Sequence, residues 1–151
     1  MLKYWQYKTM MQFDLSRFSA AQNGMFETAL AEIRAGQKRS HWIWFVFPQI
    51  AGLGTSSTSQ HFAIRTLDEA RAYIRDRVLG ARYIEAVEAL QALPGGTVEG
   101  VLGSVDAMKL RSSLTLFEAA GGDDVITAAL ARWFDGVRDP RTMALIGTDP
   151  G

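Results

Sequence analysis

His41 and His61 bracket a loop of glycines and hydroxyls, Gly52-Leu53-Gly54-Thr55-Ser56-Ser57-Thr58-Ser59-Gln60, and Lys38-Arg39 stand just ahead of the first histidine. Imidazole titrates near neutrality, so either histidine can act as a general acid or base, or ligate a metal. His41, beside two cations, is the candidate catalytic residue, and hydrolysis with His41 moving the proton is the simplest chemistry. A metal would need more ligands than two histidines. The sequence offers Asp106 on paper and no cysteine, so neither a metal centre nor a cofactor is expected. In the loop, a glycine turn feeding a helix that opens near Ser59 would aim backbone N–H groups at an anion, with Ser56 and Ser59 adding hydroxyls. A turn closed by a serine cap has the same sequence. The G-x-x-x-x-G-K-[ST] spacing of a P-loop is missing.

A second cluster lies far along the chain. Lys109, Ser112 and Ser113 are three and four residues apart, so on a helix they share a face. A lysine over hydroxyls suits a phosphate or carboxylate, or the activation of a serine. No G-x-S-x-G elbow is present, and no pair of catalytic carboxylates is visible.

These groups need elements to position them. The stretch Trp42-Ile43-Trp44-Phe45-Val46-Phe47 is too apolar to stand in water. With polar residues at both ends, including Gln49, it reads as the wall of a pocket or as an ordinary core element with wet ends. Aromatic and β-branched residues favour a strand. No partner strand is evident, Ser40 is a fair N-cap and Pro48 would end a helix, so the stretch is predicted to be a short buried helix.

Around it, a helical stripe of Phe18, Gln22, Met25, Ala29 and Ile33, widened by Phe26 and Leu30, predicts one helix over 15–35 with Gly36 as its stop. Gln22 lies on that apolar stripe and needs a hydrogen-bond partner, a neighbouring backbone group or a ligand. Thr66-Leu67-Asp68-Glu69 is a capping box for a helix to about Arg75. Leu79, Tyr83, Val87 and Leu90 mark the next, over 77–93, closed by Pro94-Gly95-Gly96. A short turn follows Thr97 or Glu99. Ser104 or Asp106 caps a helix over 107–120, on which the apolar positions Met108, Leu110, Leu114 and Phe117 take most of the circumference. Asp123-Asp124 opens another to Phe134, and Asp139-Pro140 starts a last one through Ile146.

The sum is all-α: one compact domain over 13–147 of about six to eight short helices. Residues 1–12 read as an extension, either a mis-assigned start, since Met10 and Met11 are alternatives, or an arm whose Tyr4, Trp5 and Tyr7 bind a partner. Residues 148–151 read as frayed.

Sixteen Lys and Arg balance sixteen Asp and Glu, which disfavours a nucleic-acid binder. The arginines from Arg65 to Arg82 alternate with acids, as on a solvated, salt-bridged face. No cysteine is present, no apolar run reaches the ~18 residues of a membrane helix, and the first residues lack a signal-peptide core. A cytoplasmic protein that does not enter the membrane is expected.

The block from Lys38 to Gln49, with Gly52-Leu53-Gly54, Ser56, Ser59 and Ala63-Ile64, resembles the bacterial family catalogued as domain of unknown function 1810. Phe18-Ser19-Ala20-Ala21-Gln22, Leu79-Gly80-Ala81-Arg82 and 109–117 carry the same resemblance, which spans about 15–146. It implies a compact all-α fold and a small bacterial cytoplasmic protein, and supplies no reaction. Some members carry the label calpastatin-like, yet no repeat or disordered inhibitor segment supports it here.

Two functional expectations follow. The first is a pocket for a nucleotide-like or other anionic small molecule, lined by Lys38, Arg39, Trp42, Trp44, Gln49, Ser56, Ser59 and His61, with Lys109 and Ser112 opposite. The second is a non-enzymatic protein–protein interaction module in which the aromatic block is core.

Overall fold

In the computed structural model, residues 13–147 are described, and among them the chain forms ten α-helices: α1 (Ser16–Gln22), α2 (Phe26–Arg34), α3 (Ile43–Val46), α4 (Ser57–His61), α5 (Leu67–Arg75), α6 (Leu79–Gln91), α7 (Val98–Leu102), α8 (Ser104–Ala119), α9 (Asp124–Phe134) and α10 (Pro140–Gly147). The fold is all-α, with slightly more helices than the sequence predicts. The expected arm at 1–12 and the frayed end at 148–151 lie outside the described residues. Among the described residues no helix is long and apolar enough to cross a membrane.

One of the additional helices comes from the N-terminal stretch. The stripe over 15–35 is real, but the backbone breaks at Gly24, which takes φ +80°, and Met25 N–H donates to the Gln22 carbonyl across the turn. Hydrophobic periodicity cannot register a break that leaves the stripe facing the same core. A Cβ at position 24 would meet nothing within 4 Å, so the only penalty of Gly24→Ala is its left-handed backbone. Thermal melts should show a loss of about 1 kcal/mol. The stop at Gly36 is a Schellman turn: Gly36 N–H donates to Ile33 O and Gln37 N–H to Glu32 O, with Gly36 at φ +72°.

The aromatic block is a helix, α3, of four residues. Ser40 does not cap it; its hydroxyl goes instead to Glu32 Oε2 at 2.6 Å. Trp42, Ile43, Phe45, Val46 and Phe47 are buried, and α3 packs on α1, α6 and α8. Tyr73, Tyr83 and Phe117 continue the aromatic core, with ring centroids of Tyr83 and Phe117 at 4.5 Å. Gln22, fully buried, donates to Phe45 O at 2.7 Å and to Tyr73 Oη at 3.0 Å, and Arg82 Nη1 donates to its carbonyl oxygen. The amide on the apolar stripe thus satisfies buried backbone and ties α1 to α3, α5 and α6.

Thr66 caps α5 by accepting from Glu69 N–H, and the Glu69 carboxylate reaches back to Arg65 N–H at 2.7 Å. Asp123 caps α9 through Val125 N–H.

Candidate functional site

The cleft begins at a pinch in the backbone. Residues Ile50 and Ile64 form a lone parallel bridge: Ala51 N–H donates to Ile64 O and Ile64 N–H to Gln49 O, both at 2.8 Å. The bridge closes the intervening loop, which carries α4. Arg17 braces its return, donating to His61 O, Ala63 O and the Glu69 carboxylate.

Between this loop, α3, α8 and the start of α10 lies a cleft of about 370 Å³, within the usual range for small-molecule sites. Trp44 and Phe62 supply aromatic surface, and Ile50, Ala51 and Leu53 aliphatic surface. The α8 wall is Val105, Met108, Lys109 and Ser112, at i, i+3, i+4 and i+7, a single helical stripe turned toward the cleft. Gln49, Ser59, Gln60, Arg65, Asp139 and Arg141 complete the polar lining.

The cations are held unequally. Lys109 Nζ sits 3.8 Å from the centroid of the Trp44 ring and 3.3 Å from Asp106 Oδ1. The other oxygen of Asp106 is 2.8 Å from Lys38 Nζ, which lies over Trp42 at 5.1 Å behind the cleft wall. Arg141 donates to Gly52 O at 3.3 Å, pinning α10 to the loop. Arg65 is exposed, with no ion pair among the described residues. Asp139 is the acid of the lining, and it is occupied: Oδ2 caps α10 by accepting from Thr142 N–H and its hydroxyl, and Oδ1 faces Arg111 at 3.8 Å.

Five residues the sequence nominated for ligand binding meet in this cleft: Trp44, Gln49, Ser59, Lys109 and Ser112. Lys109 and Ser112, about sixty positions from the aromatic block, do stand opposite it. The other nominated residues lie elsewhere. Trp42 is wholly buried, and its indole N–H donates to Glu32 Oε1 at 2.8 Å, so it is a core residue. Lys38 stands one layer behind, paired with Asp106. Arg39 is exposed, its guanidinium on Gln37 and its backbone N–H on Glu32. His41 faces solvent outside the cleft lining. His61 is also exposed, its ring edge-on to Phe62, and only its carbonyl takes part in bracing the loop. Ser56 caps the five-residue α4, accepting from Ser59 N–H, while the Ser59 hydroxyl returns to Ser56 O at 2.8 Å. The hydroxyl loop is therefore a serine-capped turn.

The remaining chemistry is also accounted for. Ser112 donates to Met108 O, and Ser113 is buried against Tyr83 Oη at 2.9 Å, so neither serine beside Lys109 is paired with a base. Asp106 belongs to the lysines, and among the described residues no three potential metal ligands gather.

Arg65, Arg141, Phe62, Val105 and Met108 were not legible as site residues. Met108 is 66% exposed, with Val105 at 64%. Both sit on the cleft stripe beside Lys109. A nominated lysine with apolar residues one position before and four before it carried that signal. Nothing in the sequence links Arg141 to Gly52.

Residues 12–146 match the family described as Protein of unknown function (DUF1810). Among solved structures, the crystal structure of the conserved hypothetical protein Rv1873 from Mycobacterium tuberculosis is similar, at 40% identity and a TM-score of 0.88, covering 91% of this chain and 99% of that one. No curated protein matches.

Proposed function

The chain belongs to the DUF1810 family, and from that premise we propose that it binds an anionic small molecule with an apolar body in the cleft between α3, the 51–63 loop, α8 and α10. One observation carries the reading: Lys109, Arg65 and Arg141 converge on a concave space backed by Trp44 and Phe62. Cations around an apolar floor are arranged for a molecule with one charged and one greasy end. The proposal is binding without hydrolysis, because the acid–base candidate His41 stands outside the cleft and Ser59, Ser112 and Asp139 are tied to their own backbone or helix cap. A cytoplasmic setting belongs to the same proposal, since a cysteine-free chain gains nothing from an oxidising compartment.

A thermal-shift panel of nucleotides, sugar phosphates and aromatic carboxylates tests it. A ligand at about 100 times its Kd should stabilise by about 2.7 kcal/mol. Arg141→Ala, folded to the same extent, should bind that ligand about tenfold more weakly. A panel that leaves the melting temperature unmoved would sink the proposal. The second reading, a protein-interaction module, rests on the exposure of Val105 and Met108 side by side on α8. It would gain if Met108→Ser abolished a protein contact while small molecules stayed without effect.

A further inference from the structure

The geometry points to a phosphate-bearing dianion as the ligand, gripped by Lys109 after that lysine leaves Asp106 and the face of Trp44; this rests on the cleft being a binding site at all. The argument begins with charge. Lys38 and Lys109 share one carboxylate, so their part-buried cluster carries one uncompensated positive charge. Across the cleft, Arg141 is bound to a carbonyl oxygen and Arg65 has no ion pair among the described residues. A monocarboxylate would leave much of this excess standing. A phosphate monoester brings close to two charges and three acceptor oxygens.

The second step is the inequality of the two lysines. Lys38 has the short contact to Asp106, at 2.8 Å, and its side chain is only 8% exposed. Lys109 has the long one, at 3.3 Å, and a side chain 21% exposed at the cleft. If Lys109 turns to an anion, Asp106 keeps a buried counter-ion, and the penalty of an unpaired carboxylate is avoided. Lys38 is thus a positioning residue: it holds Asp106 so that Lys109 can be released. The third step concerns the ring. With Lys109 gone, the face of Trp44 that its ammonium covers at 3.8 Å is open to a planar group. One movement presents a cation to the phosphate and an aromatic face to the body of the ligand.

Calorimetric titration with adenosine monophosphate, inorganic pyrophosphate and benzoate, on wild type and five variants, tests this, with melts of each free variant reporting its folding. Adenosine monophosphate should bind at least about tenfold tighter than benzoate and change Trp44 fluorescence, a signal lost in Trp44→Phe. Lys109→Met should lose at least about tenfold in affinity for both phosphates. Asp106→Asn, which frees Lys109, should bind as tightly as wild type or tighter. Lys38→Met leaves Lys109 as the sole partner of Asp106 and should weaken binding severalfold; adding Asp106→Asn should restore it. A merely structural lysine would show no such rescue. Benzoate binding as tightly as the phosphates, Asp106→Asn failing as Lys109→Met does, or Lys38→Met behaving as wild type would each overturn the inference while leaving the cleft a binding site. No binding by any of the three probes would overturn both.

Discussion

Glu32→Ala is expected to destabilise the protein by about 3 kcal/mol and to lower its melting temperature by about 10 °C. Glu32 is on α2, outside the cleft, and its carboxylate gathers the segment leading into the aromatic block. Oε1 accepts from Arg39 N–H, Ser40 N–H and Trp42 Nε1–H at 2.8–2.9 Å, and Oε2 accepts from the Ser40 hydroxyl. Water can replace the partners of the exposed donors. It cannot reach the Trp42 indole N–H in the same way, because Trp42 is wholly buried. The variant therefore strands a buried donor and frees the chain that aims α3. Chemical denaturation checks the value; a loss under about 1 kcal/mol would mean the segment is held by packing alone.

The same carboxylate gives a pH signature. Burial pushes the Glu32 carboxyl up, but the hydrogen bonds from Ser40, Arg39 and Trp42 outweigh it and hold the group at about 2, below its ordinary 4.5. A carboxyl depressed in the folded state stabilises fully above its unfolded value, and that contribution is lost as pH falls from about 4.5 toward about 2. Glu32→Gln should flatten the acid limb of the stability curve in this window. Glu118, lowered by its hydrogen bond to Arg138, titrates in both proteins, so the difference between the curves isolates Glu32. Parallel acid limbs would show that Glu32 is not the group responsible.

The sequence predicts the helical class, the caps at Thr66, Thr97, Asp123 and Asp139, and the amide on the first stripe, whereas Ser40 goes to Glu32 and α8 starts at Ser104 with no side-chain cap from Ser104 or Asp106. Thr66 with Glu69, Asp123 with Val125, and the glycine at 36 are local signals that tertiary structure had no reason to override. The site was legible in halves. Trp44 and Gln49 on one side, and Lys109 and Ser112 on the other, stand out by type and spacing, and the fold brings them together. What misled was density. Trp42 and His41 lie in the same conspicuous stretch as Trp44, yet a helix of one turn sends neighbouring side chains to different places: one into the core, one into the cleft, one into water. Arg65 and Arg141 are ordinary surface arginines in sequence, and only the loop pinned by the Ile50–Ile64 bridge gives them a common object.

Gly80→Ala should also be costly, by about 3 kcal/mol or more, although alanine inside a helix is normally better than glycine by about 1 kcal/mol. The reversal comes from the corner between α5 and α6. Three residues, Asp76, Arg77 and Val78, join the two helices. Asp76 serves both: its backbone N–H closes α5 on Ala72 O, and its carboxylate caps α6 by accepting from Val78 and Leu79 N–H. Gly80 N–H then donates to Asp76 O at 2.9 Å, which draws the first turn of α6 against the last turn of α5. A Cβ on residue 80 would stand 2.1 Å from the Ile74 carbonyl oxygen and 2.9 Å from its carbon. That neighbour is backbone of a packed helix, so relief requires the helices to part. The helices carry Tyr73 and Tyr83, both buried in the aromatic core, and separation there is felt at Phe117 and Gln22. Gly95→Ala is the matched control: its Cβ would meet nothing within 4 Å and its φ is not positive, so the change should be neutral or stabilise by about 0.5 kcal/mol. If the two alanine variants melt together, the corner yields more readily than a backbone contact of this kind allows. If only Gly80→Ala falls, the glycine is there because the two helices meet at their backbones, and the aromatic core behind the cleft depends on that approach.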